Sequence, residues 1–63
     1  MRNTIRVERA KKRITQKQLA DEVDVSRQTM HLIETGQSEP KLSIAIRIAK
    51  FFGIEVEELF KLK

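Results

Sequence analysis

The chain of 63 residues has no cysteine, no tryptophan and no tyrosine, with one proline, two glycines and one histidine. Each scarcity removes a class of protein. Without cysteine there is no disulfide framework and no thiolate cage for zinc. A lone histidine has no second ligand at metal spacing, so no metal site and no cofactor are expected. There is no glycine-rich phosphate loop and no nucleophile–base pair, and one small core cannot also wall a pocket, so the chain does not read as an enzyme. No apolar run approaches the roughly 20 residues that span a bilayer. The basic N-terminus lacks the apolar stretch of a signal peptide. No period-two alternation marks a strand. These exclusions leave one cytoplasmic globular domain, residues 1–63, that stands on tight packing or on a partner subunit.

What is present is apolar patterning and basic charge. Apolar side chains make up 40% of the chain, too many for a disordered tail. Thirteen Lys and Arg against nine Asp and Glu give a formal net charge of +4. The excess is concentrated: residues 1–17 hold seven bases (Arg2, Arg6, Arg9, Lys11, Lys12, Arg13 and Lys17) and one acid, Glu8. Residues 18–34 are net acidic and residues 35–50 are basic again, through Lys41, Arg47 and Lys50. A one-sided basic field attracts polyanions, either nucleic acid or an anionic membrane, although a charge run is also the ordinary solvated face of a helix. The apolar positions are spread over several short segments that can bury one another, which disfavours an amphipathic membrane binder.

The punctuation predicts five short helices. Asn3 and Thr4 can cap a first helix over about 4–13. Thr15 is a good N-cap with Gln18 three residues later, a capping box for a second helix over about 16–23. Leu19, Ala20 and Val23 form its inward face. Asp24-Val25 reads as a short turn, and Ser26 caps a third helix over about 27–34. Met30, Ile33 and, at the entry, Val25 point inward there. Gly36 stands where a left-handed cap wants glycine, and Pro40 favours extended backbone at residue 39. Leu42, Ala45, Ile48, Ala49 and Phe52 form a helical stripe over about 42–52, which Gly53 stops. Val56, Leu59 and Phe60 mark a last helix over about 56–61, with Glu55, Glu57 and Glu58 near its positive end. The expected fold is all-α.

Two helices of about eight residues joined by a turn of about three, both capped, have the layout of a helix-turn-helix over about 16–34. The second presents polar side chains from its first turn onward: Arg27, Gln28 and His31. A helix of this width fits the DNA major groove, where each base pair shows a distinct pattern of donors and acceptors. Arginine is a two-pronged donor that matches guanine O6 and N7. Glutamine both donates and accepts, and so matches adenine N6 and N7.

Thr15-Gln16-x-x-Leu19-Ala20, then Val25-Ser26-Arg27-Gln28-Thr29-Met30, then Ile33-Glu34-x-Gly36, then Pro40-x-Leu42 and Ile48-Ala49, resembles the phage-repressor and Cro-like helix-turn-helix family, also called the xenobiotic-response-element family. The resemblance runs from about Ile5 to Phe60. It implies a lambda-repressor-like DNA-binding domain in minimal form and a prokaryotic or phage origin. It implies that Arg27, Gln28, His31 and Leu32 face bases, with Thr29 flanking them. Gln16 would contact a phosphate and brace the recognition helix, with Lys17 beside it. Thr35, Gln37, Ser38 and Lys41 would grip the DNA backbone. Arg9 and Glu34 match a pair that ties the first helix to the end of the third. Two positions depart from the family pattern. Leu32 stands where a polar residue is common, and it either touches a thymine methyl or packs against a partner. Glu8 stands where an apolar residue is common, and can pair with Lys11 or Lys12 at helical spacing.

The resemblance implies a sequence-specific transcriptional regulator, a repressor that binds an inverted-repeat operator as a homodimer. It would be cytoplasmic and associated with the nucleoid. Val56, Phe60 and Leu62, clustered after the main core, are expected in the dimer interface; alternatively they close the core of one subunit. Two other readings compete. One is an antitoxin-like or partner-controlled regulator, motivated by surplus apolar surface around Ile46, Phe51 and Leu62. The other is a protein–protein adaptor that reuses the fold.

Overall fold

A computed structural model describes residues 2–61 of the chain. The elements are β1 (Arg2–Asn3), α1 (Ile5–Lys12), α2 (Gln16–Glu22), α3 (Arg27–Glu34), α4 (Leu42–Phe52), α5 (Val56–Leu59) and β2 (Phe60–Lys61). The five helices are those expected from the sequence, and α2 and α3 pack against each other as a helix-turn-helix.

Local chemistry explains each boundary. The Thr15 side chain accepts from the Gln18 amide at 3.0 Å, while Gln18 Oε1 accepts from the Thr15 amide at 2.7 Å. This capping box satisfies two donors that an open helix start would leave unpaired. Ser26 Oγ accepts from the Thr29 amide at 3.0 Å and opens α3. At the other ends, Arg13, Asp24, Gly36 and Gly53 all take left-handed backbone, with φ of 57°, 62°, 79° and 72°. Each is followed by a closing bond back into its helix: Ile14 N–H to Arg9 O, Val25 N–H to Ala20 O, Gln37 N–H to Leu32 O, and Ile54 N–H to Ala49 O. Four helices therefore stop by the same device, two of them without glycine.

One core lies between the helices. Ile5 from α1, Leu19 from α2, Met30 from α3, Ile48 from α4 and Leu59 from α5 are fully buried in it. Arg47 Nη1 donates to Val23 O at 3.2 Å and so ties α4 to the C-terminal end of α2. Lys12 Nζ lies 5.7 Å from the centre of the Phe51 ring, which joins the end of α1 to α4.

The structure departs from the sequence reading in three places. First, α5 ends at Leu59, and Phe60–Lys61 is a strand paired antiparallel with Arg2–Asn3, Arg2 opposite Lys61 and Asn3 opposite Phe60. Two residues are too few for alternation to show, so the pairing left no periodic signal. Second, of the two residues expected to cap the first helix only Asn3 does so, its Oδ1 accepting from the Ile5 amide at 3.1 Å, while the Thr4 side chain makes no capping bond. Third, Leu42 is 73% exposed despite its place in the apolar stripe, because it is the first residue of α4 and no element covers it. Of the residues expected either in a dimer interface or closing the core of one subunit, Phe60 is only 5% exposed and packs in the core of its own chain. The Phe60 side chain therefore has almost no surface to offer a second subunit. Val56 is half-buried against the same core, and Leu62 lies outside the described residues.

Candidate nucleic-acid interface

The outward face of α3 carries Arg27, Gln28 and His31 at i, i+1 and i+4, all exposed. Met30 and Ile33, on the opposite face, are buried, so packing fixes which way the polar residues point. Arg27 has no ion-pair partner among the described residues. Its fork of donors is therefore available to a ligand. Leu32 is half-buried at the margin of this face.

Gln16, the first residue of α2, flanks α3 on one side. Its Nε2 lies 3.5 Å from His31 Nδ1. Two shallow depressions share this pair. One, of about 450 Å³, is lined by Gln16, Arg27, Gln28 and His31. The other, of about 390 Å³, is lined by Arg6, Arg9, Gln16, His31, Glu34 and Thr35. Lys17 next door is exposed and reaches Asp21 at 3.1 Å, a bond in open solvent that is readily exchanged for another anion.

The other flank of α3 is a depression of about 520 Å³. Thr29, Ser38 and Lys41 line it together with Ser26, Glu39 and the apolar Val25, Ile33, Pro40 and Ile44. Ser38 and Lys41 are exposed, and Lys41 has no ionic partner among the described residues. Thr35 and Gln37 are differently placed. Thr35 Oγ1 donates to His31 O at 2.9 Å, and Gln37 Nε2 donates to Thr35 Oγ1 at 2.9 Å. These two side chains close the end of α3, so the hydroxyl proton of Thr35 is directed inward.

Two further side chains hold α3 in place. Arg9 Nε donates to Glu34 Oε2 at 2.7 Å and Nη2 donates to Oε1 at 3.1 Å, a two-pronged pair between α1 and α3. Arg9 Nη1 also donates to Ile14 O at 3.0 Å. The side chains are only 17% and 6% exposed, so this is a part-buried strut rather than an open surface pair. Glu8, the other departure from the family pattern, pairs with Lys11 at 3.4 Å. Asn3 Nδ2 donates to Ile33 O at 3.0 Å and to Glu34 O at 3.4 Å, linking β1 to the C-terminal end of α3.

The sequence reading passed over Asn3 and Arg6 as contributors to this surface. Arg6 had a signal, its place in the basic N-terminal run. The reach of Asn3 to α3 spans about thirty residues of chain and has no local trace.

A family model for helix-turn-helix proteins matches residues 5–59. The match begins at the first residue of α1 and ends at the last residue of α5. The chain belongs to the helix-turn-helix family. Similar helix-turn-helix proteins occur in archaea and bacteria. An uncharacterized HTH-type transcriptional regulator of Methanocaldococcus jannaschii is 45% identical over 60 residues, covering 95% of this chain and 91% of the relative. One of the same description from Archaeoglobus fulgidus is 43% identical over 60 residues, covering 95% and 86%. The uncharacterized HTH-type transcriptional regulator YgzD of Bacillus subtilis is 36% identical over 63 residues, covering 100% and 96%. Among the described residues no cluster of side chains could hold a metal ion, and no helix is long and apolar enough to cross a membrane.

Proposed function

We propose that this helix-turn-helix protein is a sequence-specific DNA-binding transcriptional regulator that lays α3 in the major groove. The observation that carries the reading is the outward face of α3. Arg27, Gln28 and His31 converge there from a rigidly held helix, and the two flanks offer Gln16 and Lys17 on one side and Thr29, Ser38 and Lys41 on the other. Arg27 and Gln28 read base edges, Leu32 touches a thymine methyl at the margin, and the flanking groups fix the register on phosphates. The names of the relatives as transcriptional regulators agree with this role. The protein acts as a homodimer on an inverted repeat, and represses by occupying promoter DNA and excluding polymerase.

The test is selection of bound duplexes from a random pool at about 150 mM salt, where screening suppresses non-specific binding. Enrichment of an inverted repeat supports the reading. A uniform, salt-sensitive background overturns it in favour of an adaptor.

A second reading, control through a protein partner, is favoured by Leu42 and Ile46, which stand one turn apart on α4 and are 73% and 38% exposed. Sedimentation of material recovered from its own host separates a lone homodimer from a stable mixed complex.

A further inference from the structure

We infer that Asn3 is a positioning residue for the recognition helix: its side-chain amide holds the C-terminal end of α3 by the backbone, and discrimination between right and wrong DNA sequences depends on that hold. The inference rests on the DNA-binding reading above and adds a residue outside the helix-turn-helix, on which that reading places no demand.

Asn3 Nδ2 donates to Ile33 O at 3.0 Å and to Glu34 O at 3.4 Å, while Oδ1 accepts from the Ile5 amide at 3.1 Å. The partners fix the orientation of the amide. A carbonyl only accepts and a backbone N–H only donates, so the reversed amide would lose every one of these bonds. The last carbonyls of a helix lack partners within it. The amides that follow α3 close on His31 O, Leu32 O and Ile33 O, and leave Glu34 O to Asn3. One short side chain thus starts α1 and finishes α3. Its own backbone is held in turn. Asn3 pairs with Phe60, which is buried in the core, and the next amide, Thr4 N–H, donates to Leu59 O at 2.9 Å.

The Arg9–Glu34 pair does not replace this hold. It grips the end of a carboxylate side chain, whose torsions can turn while the helix axis tilts, whereas Asn3 grips the helix backbone itself. A tilt matters most for base contacts. Arg27 and Glu34, the first and last residues of α3, stand about 10.5 Å apart along its axis. A rotation of about 10° around the midpoint moves each end by about 0.9 Å, beyond the roughly 0.5 Å to which a binding constellation must be held. Hydrogen bonds to base edges weaken steeply with angle. The attraction between a lysine and a phosphate falls only with the inverse of their distance. Loss of the Asn3 hold therefore lowers affinity for the selected site and spares affinity for other duplexes.

The experiment compares wild type with three full-length variants. Asn3→Ser removes both donors to α3 and keeps a hydroxyl able to accept from the amide two residues on. Asn3→Asp keeps the oxygen on the Ile5 amide, removes the same donors, and carries the comparison should Asn3→Ser prove unfolded. Ile48→Val, a core change on α4, is the control for lost stability. Fluorescence anisotropy measures affinity for the duplex enriched in the selection above and for a scrambled duplex of equal length. The temperature is one at which circular dichroism shows the compared proteins folded. The ratio of selected to scrambled affinity is expected to fall roughly tenfold in both Asn3 variants, within the discrimination that one base contact supplies. Asn3→Ser is expected to bind the scrambled duplex as wild type does, and Ile48→Val to keep the wild-type ratio. The added charge of Asn3→Asp weakens both duplexes alike and leaves its ratio readable. An unchanged ratio, an equal loss on both duplexes in Asn3→Ser, or a ratio that falls as far in Ile48→Val overturns the inference and leaves the DNA-binding reading intact. Unfolding of both Asn3 variants also overturns it, since the residue then serves stability rather than placement. Failure to enrich any duplex overturns both.

Discussion

Arg27 and Lys41 each carry a full charge without an ionic partner among the described residues, yet they answer to different tests. Arg27 projects from the first turn of α3 and is assigned to a base. Arg27→Ala should weaken binding to the selected site by about 1–3 kcal/mol and relax preference at one base position. Lys41 stands on the flank and is assigned to phosphate. Lys41→Ala should weaken all duplexes about equally and make the salt dependence shallower by about one phosphate contact. Affinities for specific and scrambled duplexes over a salt series check both; a loss in Lys41→Ala confined to the specific site would contradict the phosphate role. The Arg9–Glu34 strut belongs to stability instead. With both side chains largely shielded, Glu34→Ala leaves a cation without its anion, at a cost of about 3–5 kcal/mol. That is comparable to the whole stability that so small a core supplies, roughly 3–5 kcal/mol. Urea denaturation should therefore show little cooperative structure in Glu34→Ala, whereas the paired change Arg9→Met with Glu34→Leu recovers most of it.

At the scale of the element, the helix ends hold the clearest strain. Arg13 and Asp24 sit in left-handed backbone that disfavours side chains by roughly 1–2 kcal/mol per residue. Aspartate relieves part of this with its short polar side chain; arginine does not. Arg13→Gly removes that strain and gives back about 0.4–1 kcal/mol through the looser unfolded chain, for a small net gain. Thermal melts should show a rise of a few degrees, by roughly 4–8 °C per kcal/mol for a domain of this size. Gly53→Ala should fall by a similar amount, and the cause is backbone alone, since a β-carbon there meets nothing within 4 Å. These ends also show what the sequence made legible. Gly36 and Gly53 announced their helix stops, and Thr15 and Ser26 announced the starts, because each acts within four residues of itself. Asp24-Val25 reads as a turn in the sequence, but Arg13 carries no such mark, because its backbone is imposed by the closing bond after it. Leu42 was misplaced for a related reason: periodicity gives the face of a helix but not where its neighbours stop covering it. The polar face of α3 was legible as three residues. Its brace from Asn3 and the direction of the Thr35 hydroxyl were not, since both depend on which distant carbonyl lies within reach.

At the scale of the whole molecule, size decides the mode of recognition. The described chain measures 28 × 21 × 18 Å. Successive major grooves on one face of DNA lie about 34 Å apart. One copy therefore reaches one groove, and an inverted repeat needs two. An operator with half-site centres about 10 bp apart should bind two copies cooperatively, and inserting about 5 bp should abolish that cooperativity by turning the second half-site to the opposite face. Gel-shift titrations of the two spacings check this; equal cooperativity at both would exclude a rigid dimer. The same scale holds the consequence of the short β1–β2 pair. Arg2 and Lys61 are antiparallel partners, which sets their Cα atoms about 4.5–5.5 Å apart. The polypeptide thus enters and leaves the fold through a single doorway. Such a body can be spliced into a surface turn of a host protein without prying that turn apart. There it would hang as a pendant head, with α3 still presented outward, and lend the host a grip on DNA.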